Sequence, residues 1–115
     1  MEYQHENLAR GQWFTLSLAE QLGNVGSEIS RARNWQGKDK KLFEGAVFRG
    51  LELLDLTLAD PRWQRARRLK EIARARELVC DAYLGGREYQ TNFNDLMRYF
   101  DAFAVVARAS FLSSL

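Results

Sequence analysis

Seven basic side chains crowd one stretch of this chain. Arg62, Arg65, Arg67, Arg68, Lys70, Arg74 and Arg76 lie between Pro61 and Leu84, against only Glu71, Glu77 and Asp81, a local excess of +4. The formal net charge of the whole chain is +2, so the charge is segregated along it. At helical spacing Arg67, Lys70 and Arg74 share one outward face, with Arg68 beside them. Such a face can track a phosphate backbone, and guanidinium groups suit the task because their planar fork meets phosphate oxygens in pairs. Trp63 lies near enough to stack on a base or a sugar. The same residues also fit a solvated helix face laced with local pairs such as Arg67–Glu71, and the spacing leaves both readings open. Arg65 and Arg76 differ from the rest, because a helical wheel sets both inside the apolar face, near Leu69, Ile72 and Tyr83. A buried guanidinium needs a carboxylate, and Glu28, Glu52 and Asp55 are the candidates for an internal ion pair that fixes register.

Other chemistries lack their parts. His5 is the only histidine and no helix carries a Glu-x-x-His motif, so a di-metal carboxylate centre is not expected. Cys80, the only cysteine, cannot build a zinc site alone, and as a nucleophile it would need a base that the distant His5 does not supply. It reads instead as a small core residue. No glycine-rich phosphate loop follows a strand. A small helical RNase of the HEPN type would need Arg followed by four residues and then His, and the chain has no such motif. We therefore expect no catalysis, no metal and no cofactor.

The elements that position the basic stretch are helical. With 115 residues, 46 % hydrophobic and 28 % charged, the chain suits one folded domain spanning 1–115, with 1–16 as an N-terminal arm whose Trp13-Phe14 packs on the body. Ser17-Leu18-Ala19-Glu20 is a capping box. The helix it starts carries Leu18, Leu22, Val25, Ile29 and Ala32 on one face, and Gly37 supplies its stop. A second strip of small residues, Ala19, Gly23, Gly26 and Ser30, implies close approach by another helix. Asp39 caps a second helix whose apolar stripe, Phe43, Val47, Leu51, Leu54 and Leu58, is widened by Ala46, Gly50, Leu53 and Thr57. Phe48 and Leu56 fall outside even that wide stripe, which predicts an oligomer interface through these two residues. Asp60-Pro61 starts a third helix, with Ala66, Leu69, Ile72, Ala73, Val79, Cys80 and Tyr83 on its apolar face and Gly85-Gly86 at its end. Thr91 or Asn92 caps a fourth, with Phe93, Leu96, Phe100, Phe103, Ala104, Ala107 and Phe111 facing inward. Helices at 17–36, 40–59, 61–84 and 93–112 with short connections predict an all-α, antiparallel four-helix bundle without a sheet. A single cysteine, no signal-like N-terminus and no apolar run of membrane length point to a cytoplasmic protein with no membrane partner.

The run Glu20-Gln21-Leu22-Gly23-Asn24-Val25-Gly26-Ser27-Glu28, followed by Phe43 to Leu58 with Ala46 and Leu51-Glu52-Leu53-Leu54, resembles one broad family over about residues 16–110. It is the four-helix-bundle proteins encoded in ribosomal-RNA intervening sequences, together with the accessory variability determinants of diversity-generating retroelements. That resemblance implies assembly with copies of itself and basic surfaces that meet RNA or DNA and a reverse transcriptase. The expectation is thus a non-enzymatic nucleic-acid-binding accessory protein that works as a homo-oligomer. The alternative is a protein–protein adaptor bundle with no nucleic-acid role.

Overall fold

A computed structural model of the chain describes residues 11–113, and every regular element among them is helical. After a single 3-10 turn at Trp13–Thr15 come α1 (Leu18–Trp35), α2 (Lys40–Leu58), α3 (Pro61–Arg65), α4 (Leu69–Tyr83) and α5 (Phe93–Ser113). His5 and most of the expected N-terminal arm lie outside the described residues.

The local stop and start signals behave as their chemistry dictates. Ser17 and Glu20 form the reciprocal capping box, Asp39 accepts the amide of Leu42, Asp60 accepts that of Arg62 with Pro61 in the first turn, and Asn92 accepts that of Asp95. Gly37, Gly85 and Gly86 adopt the positive φ that ends α1 and α4. The core gathers Leu22, Val25 and Ile29 of α1, Ala46, Val47 and Leu54 of α2, Ile72, Ala75 and Val79 of α4, and Phe93, Leu96 and Phe100 of α5. Trp13 is 2 % exposed and joins this core. α1 packs along both α2 and α5, and α2 in turn holds α4, which meets α5 only sparsely.

Two expectations about inward faces are corrected. Ala66 and Ala104 are exposed. Ala66 falls in a break described below, and Ala104 flanks the contact with α1 instead of filling it. The side chains of Ala107 and Phe111 lie outside the described residues.

The small strip on α1 earns its place against α5. A Cβ at Gly26 would stand 2.8 Å from Cβ of Phe100, whereas one at Gly23 would meet Ala104 no closer than 3.5 Å, an ordinary contact. Gly23 is therefore a helix interior position with room to spare. Gly23→Ala is expected to raise the unfolding free energy by up to about 1 kcal/mol, from helix propensity alone, seen as a higher urea midpoint with unchanged slope. A lower midpoint would mean that α5 lies closer to α1 than this geometry has it.

Candidate nucleic-acid interface

The expected third helix is two helices. α3 ends in a left-handed turn in which the Arg67 amide donates to the Gln64 carbonyl (3.3 Å) and the Arg68 amide donates back to that of Trp63 (2.9 Å). These two bonds are the signature of a Schellman stop, and Arg67, with φ of +58°, occupies the position where glycine is usual. Geometry explains the break. Trp63 and Ile72 both face the core, yet they are nine residues apart, about two and a half turns. On one continuous helix they would point in opposite directions. The elbow at Ala66–Arg68 resets the phase so that both can pack on the core, Ile72 fully buried and Trp63 partly.

That reset overturns part of the predicted ion-pair set. On a continuous helix Arg65 shares the face of Arg76; at the end of α3 it is exposed instead and forms no ion pair with any described residue. Arg76 does find Asp55, its Nε 2.7 Å from Oδ1, but both side chains are more than a third exposed, so the pair is a surface tie and not a buried one. Glu28 is buried as expected, yet its partners are Arg31 at 2.8 Å and Arg49 at 3.1 Å. Glu52 is also buried, at 5 % exposure.

The elbow collects the exposed cations. Arg65, Arg67, Arg68, Lys70 and Arg74 all face solvent. Arg68 pairs with Glu71 at 2.8 Å, and Arg74 lies 3.8 Å from Glu77 with its guanidinium 4.3 Å over the Tyr89 ring. Arg65, Arg67 and Lys70 make no ion pair among the described residues. A shallow groove of about 530 Å³ runs past Arg67, Lys70, Glu71, Arg74 and Glu77. Arg68, at the N-cap of α4, offers no capping side chain, so the positive end of that helix dipole adds to the cluster.

Trp63 is half-buried and packs against the core. The Arg62 guanidinium sits 4.5 Å over its ring, and its Nε1 donates to Gln21 Oε1 at 2.8 Å. It belongs to a polar network that the spacing of the sequence did not reveal. Gln21 Nε2 donates to the Trp13 carbonyl (2.8 Å) and to Asp60 Oδ2 (3.1 Å), Trp13 Nε1 donates to Thr57 Oγ1 (3.2 Å), and Arg62 binds Asp60 (2.7 Å) and the Leu16 carbonyl (2.6 Å). Burial pushes the Asp60 carboxyl up, but its bonds from the Arg62 side chain, the Arg62 amide and Gln21 outweigh this and hold it below the ordinary 3.8.

A second carboxylate missed at sequence level organises the loop after α4. Asp81 accepts the amides of Glu88 (2.8 Å), Tyr89 (3.1 Å) and Thr91 (3.1 Å), which overcome the effect of burial and lower its pKa. Its signal was a carboxylate one turn before Gly85-Gly86, with donor amides to follow. Phe48 is 42 % exposed, its ring edge against Tyr83, while Leu56 is half-buried against the core; of the two, Phe48 is the one open to a partner. No group of three or more metal-ligating side chains occurs among the described residues, and none of their helices is long and apolar enough to cross a membrane. Compared with protein-family models, curated proteins and solved structures, the chain matches none.

Proposed function

We propose that this chain is a non-enzymatic accessory protein that binds the phosphate backbone of RNA or DNA through the α3–α4 elbow, and that it acts as a homo-oligomer in the cytoplasm. We further read α1, α2, α4 and α5 as an antiparallel four-helix bundle, α3 being the bent start of its third arm. Short connections and the packing of α1 on both α2 and α5 support that reading. The functional reading accords with what the family resemblance implies.

The observation that carries it is the exposure of Arg65, Arg67 and Lys70 without ion-pair partners among the described residues, at a turn where Arg67 takes a conformation that favours glycine. A non-glycine residue there costs about 1 kcal/mol, and nothing in the packing of the exposed Arg67 side chain offsets that cost. Unpaired surface cations beside a helix N-terminus release counterions when they meet phosphates, so binding is expected to be weakly sequence-dependent and steeply salt-dependent.

An anisotropy titration with structured RNA and with duplex DNA at about 50 mM salt tests the proposal. Changing Arg65, Arg67 and Lys70 together to Glu is expected to weaken binding about 100-fold or more, and to remove about three counterions from the salt slope, with the helical signal intact. Arg67→Gly separates function from fold: stability rises by up to about 1 kcal/mol because the left-handed turn is relieved, while affinity falls. No binding of the wild-type chain to either nucleic acid would sink the proposal. It would turn attention to the adaptor reading, with the exposed Leu42 and Phe48 of α2 as its surface.

A further inference from the structure

Beyond Phe100, several described residues of α5 face solvent and present much apolar area. Asp101, Ala102, Ala104, Val105, Val106 and Arg108 are all exposed, Val105 to 67 % and Val106 to 53 %. Four of them, Asp101, Ala104, Val105 and Arg108, line one shallow groove of about 370 Å³. Their spacing is i, i+3, i+4, i+7, which is a single helix face. The face is antisymmetric in charge, with an acid at one end, a base at the other and apolar side chains between.

We infer that this face is the contact through which two copies of the chain pack α5 against α5, antiparallel, about a two-fold axis passing between Ala104 and Val105. The midpoint of positions 101 and 108 is also the midpoint of 104 and 105. An axis there therefore sets Asp101 of each copy opposite Arg108 of the other, and Ala104 of each opposite Val105 of the other. Such a contact is self-complementary, as an isologous interface must be. The small Ala104 lets the helix backbones approach, and Val105 fills the space beside it. A parallel arrangement would set Asp101 against Asp101, and antiparallel helix dipoles add to the preference. Within one copy the two charges cannot satisfy each other, being about 10 Å apart along the axis, and neither forms an ion pair with another described residue. The contact rests on the reading that the chain self-associates and is independent of nucleic-acid binding, so a failed titration with RNA or DNA leaves it standing.

Charge reversal tests both partner and register. Light scattering at low salt, over about 10–100 µM protein and without nucleic acid, is expected to give twice the chain mass of 13.3 kDa for the wild type. Asp101→Arg alone, or Arg108→Asp alone, sets like charges together twice across the axis and is expected to weaken association about tenfold. The double variant Asp101→Arg, Arg108→Asp restores the opposition with its sign reversed and is expected to regain the wild-type mass. All these positions are exposed, and circular dichroism should report the same helix content throughout. A wild type that stays monomeric over this range, single variants that associate as the wild type does, or a double variant that fails to recover would each overturn the inference.

Discussion

Asp60→Ala is expected to lower the unfolding free energy by about 3 kcal/mol, because one carboxylate serves three purposes at once. It caps α3 through the Arg62 amide, it receives the Arg62 guanidinium at 2.7 Å, and it receives Gln21 Nε2 at 3.1 Å, all with its own side chain fully shielded from solvent. Loss of the cap alone is worth about 1 kcal/mol. The remainder comes from Gln21, which is also fully buried and would keep only the Trp13 carbonyl as an acceptor for its amide group. Arg62 is about a third exposed and can turn to water, which limits the damage on its side. Asp60→Asn keeps the cap and the shape but not the charge, and should fall between. A urea titration reads both variants as a shifted midpoint at unchanged slope. An Asp60→Ala variant within about 0.5 kcal/mol of the wild type would refute the account of this network.

The same carboxylate sets part of the acid limit. The folded-state pKa of Asp60 is depressed, so it contributes stability that is present above its unfolded value, near 3.8, and is lost as pH falls through the folded value. Asp81 acts with the same sign. Tyr83 and Tyr99 have raised values, Tyr83 first through its bond to Glu44 and Tyr99 first through burial. Their contribution is present below pH 10.0 and is lost as pH rises above it. Stability is therefore expected to sag at both ends, and Asp60→Ala should flatten only the acid side.

The helices and their ends were legible because each boundary is written in local chemistry. A capping box, an Asp-Pro pair and glycines at positive φ act within a few residues and need no partner from elsewhere. The elbow was not read, because Gln64-Arg65-Ala66-Arg67-Arg68 consists of good helix formers with no glycine or proline. What breaks that helix is a conflict of phase between Trp63 and Ile72. That conflict was present in the spacing, but it shows only if both residues are required to be buried. A continuous helix would set Arg65 on the core face, whereas the elbow leaves it exposed and turns Trp63 toward the core. The Gln21–Asp60–Trp63 network was hidden for another reason. Its members come from four elements, the 3-10 turn, α1, α2 and the start of α3, and polar residues at Gln21 and Thr57 carry no periodic mark of burial. The basic cluster itself was legible in composition and spacing, and the elbow adds Arg65 to its exposed side chains.

Gly26→Ala is expected to destabilise the chain by about 2 kcal/mol, although alanine is the better helix former by about 1 kcal/mol. The two effects have opposite signs, and magnitude decides between them. A Cβ at this position would stand 2.8 Å from Cβ of Phe100, well inside van der Waals contact. The atom it meets is not the far end of a flexible side chain, so a rotamer change at Phe100 does not remove the overlap. Phe100 is fully buried and touches Tyr99 edge-on at 5.1 Å, which leaves its ring little freedom either. Relief must come from moving α5 away from α1 by several tenths of an ångström, and α1–α5 is one of the two most extensive helix pairs in the fold. Dispersion contacts along the whole pair weaken together, which is why a single methyl outweighs the gain in propensity. Gly23→Ala, one turn away on the same strip, adds the same methyl where the nearest atom is 3.5 Å distant, and it should move the urea midpoint in the opposite direction. The pair of variants thus isolates the crossing point from helix propensity. If Gly26→Ala were as stable as Gly23→Ala, the close approach at Phe100 would not be the reason that α1 carries a glycine there.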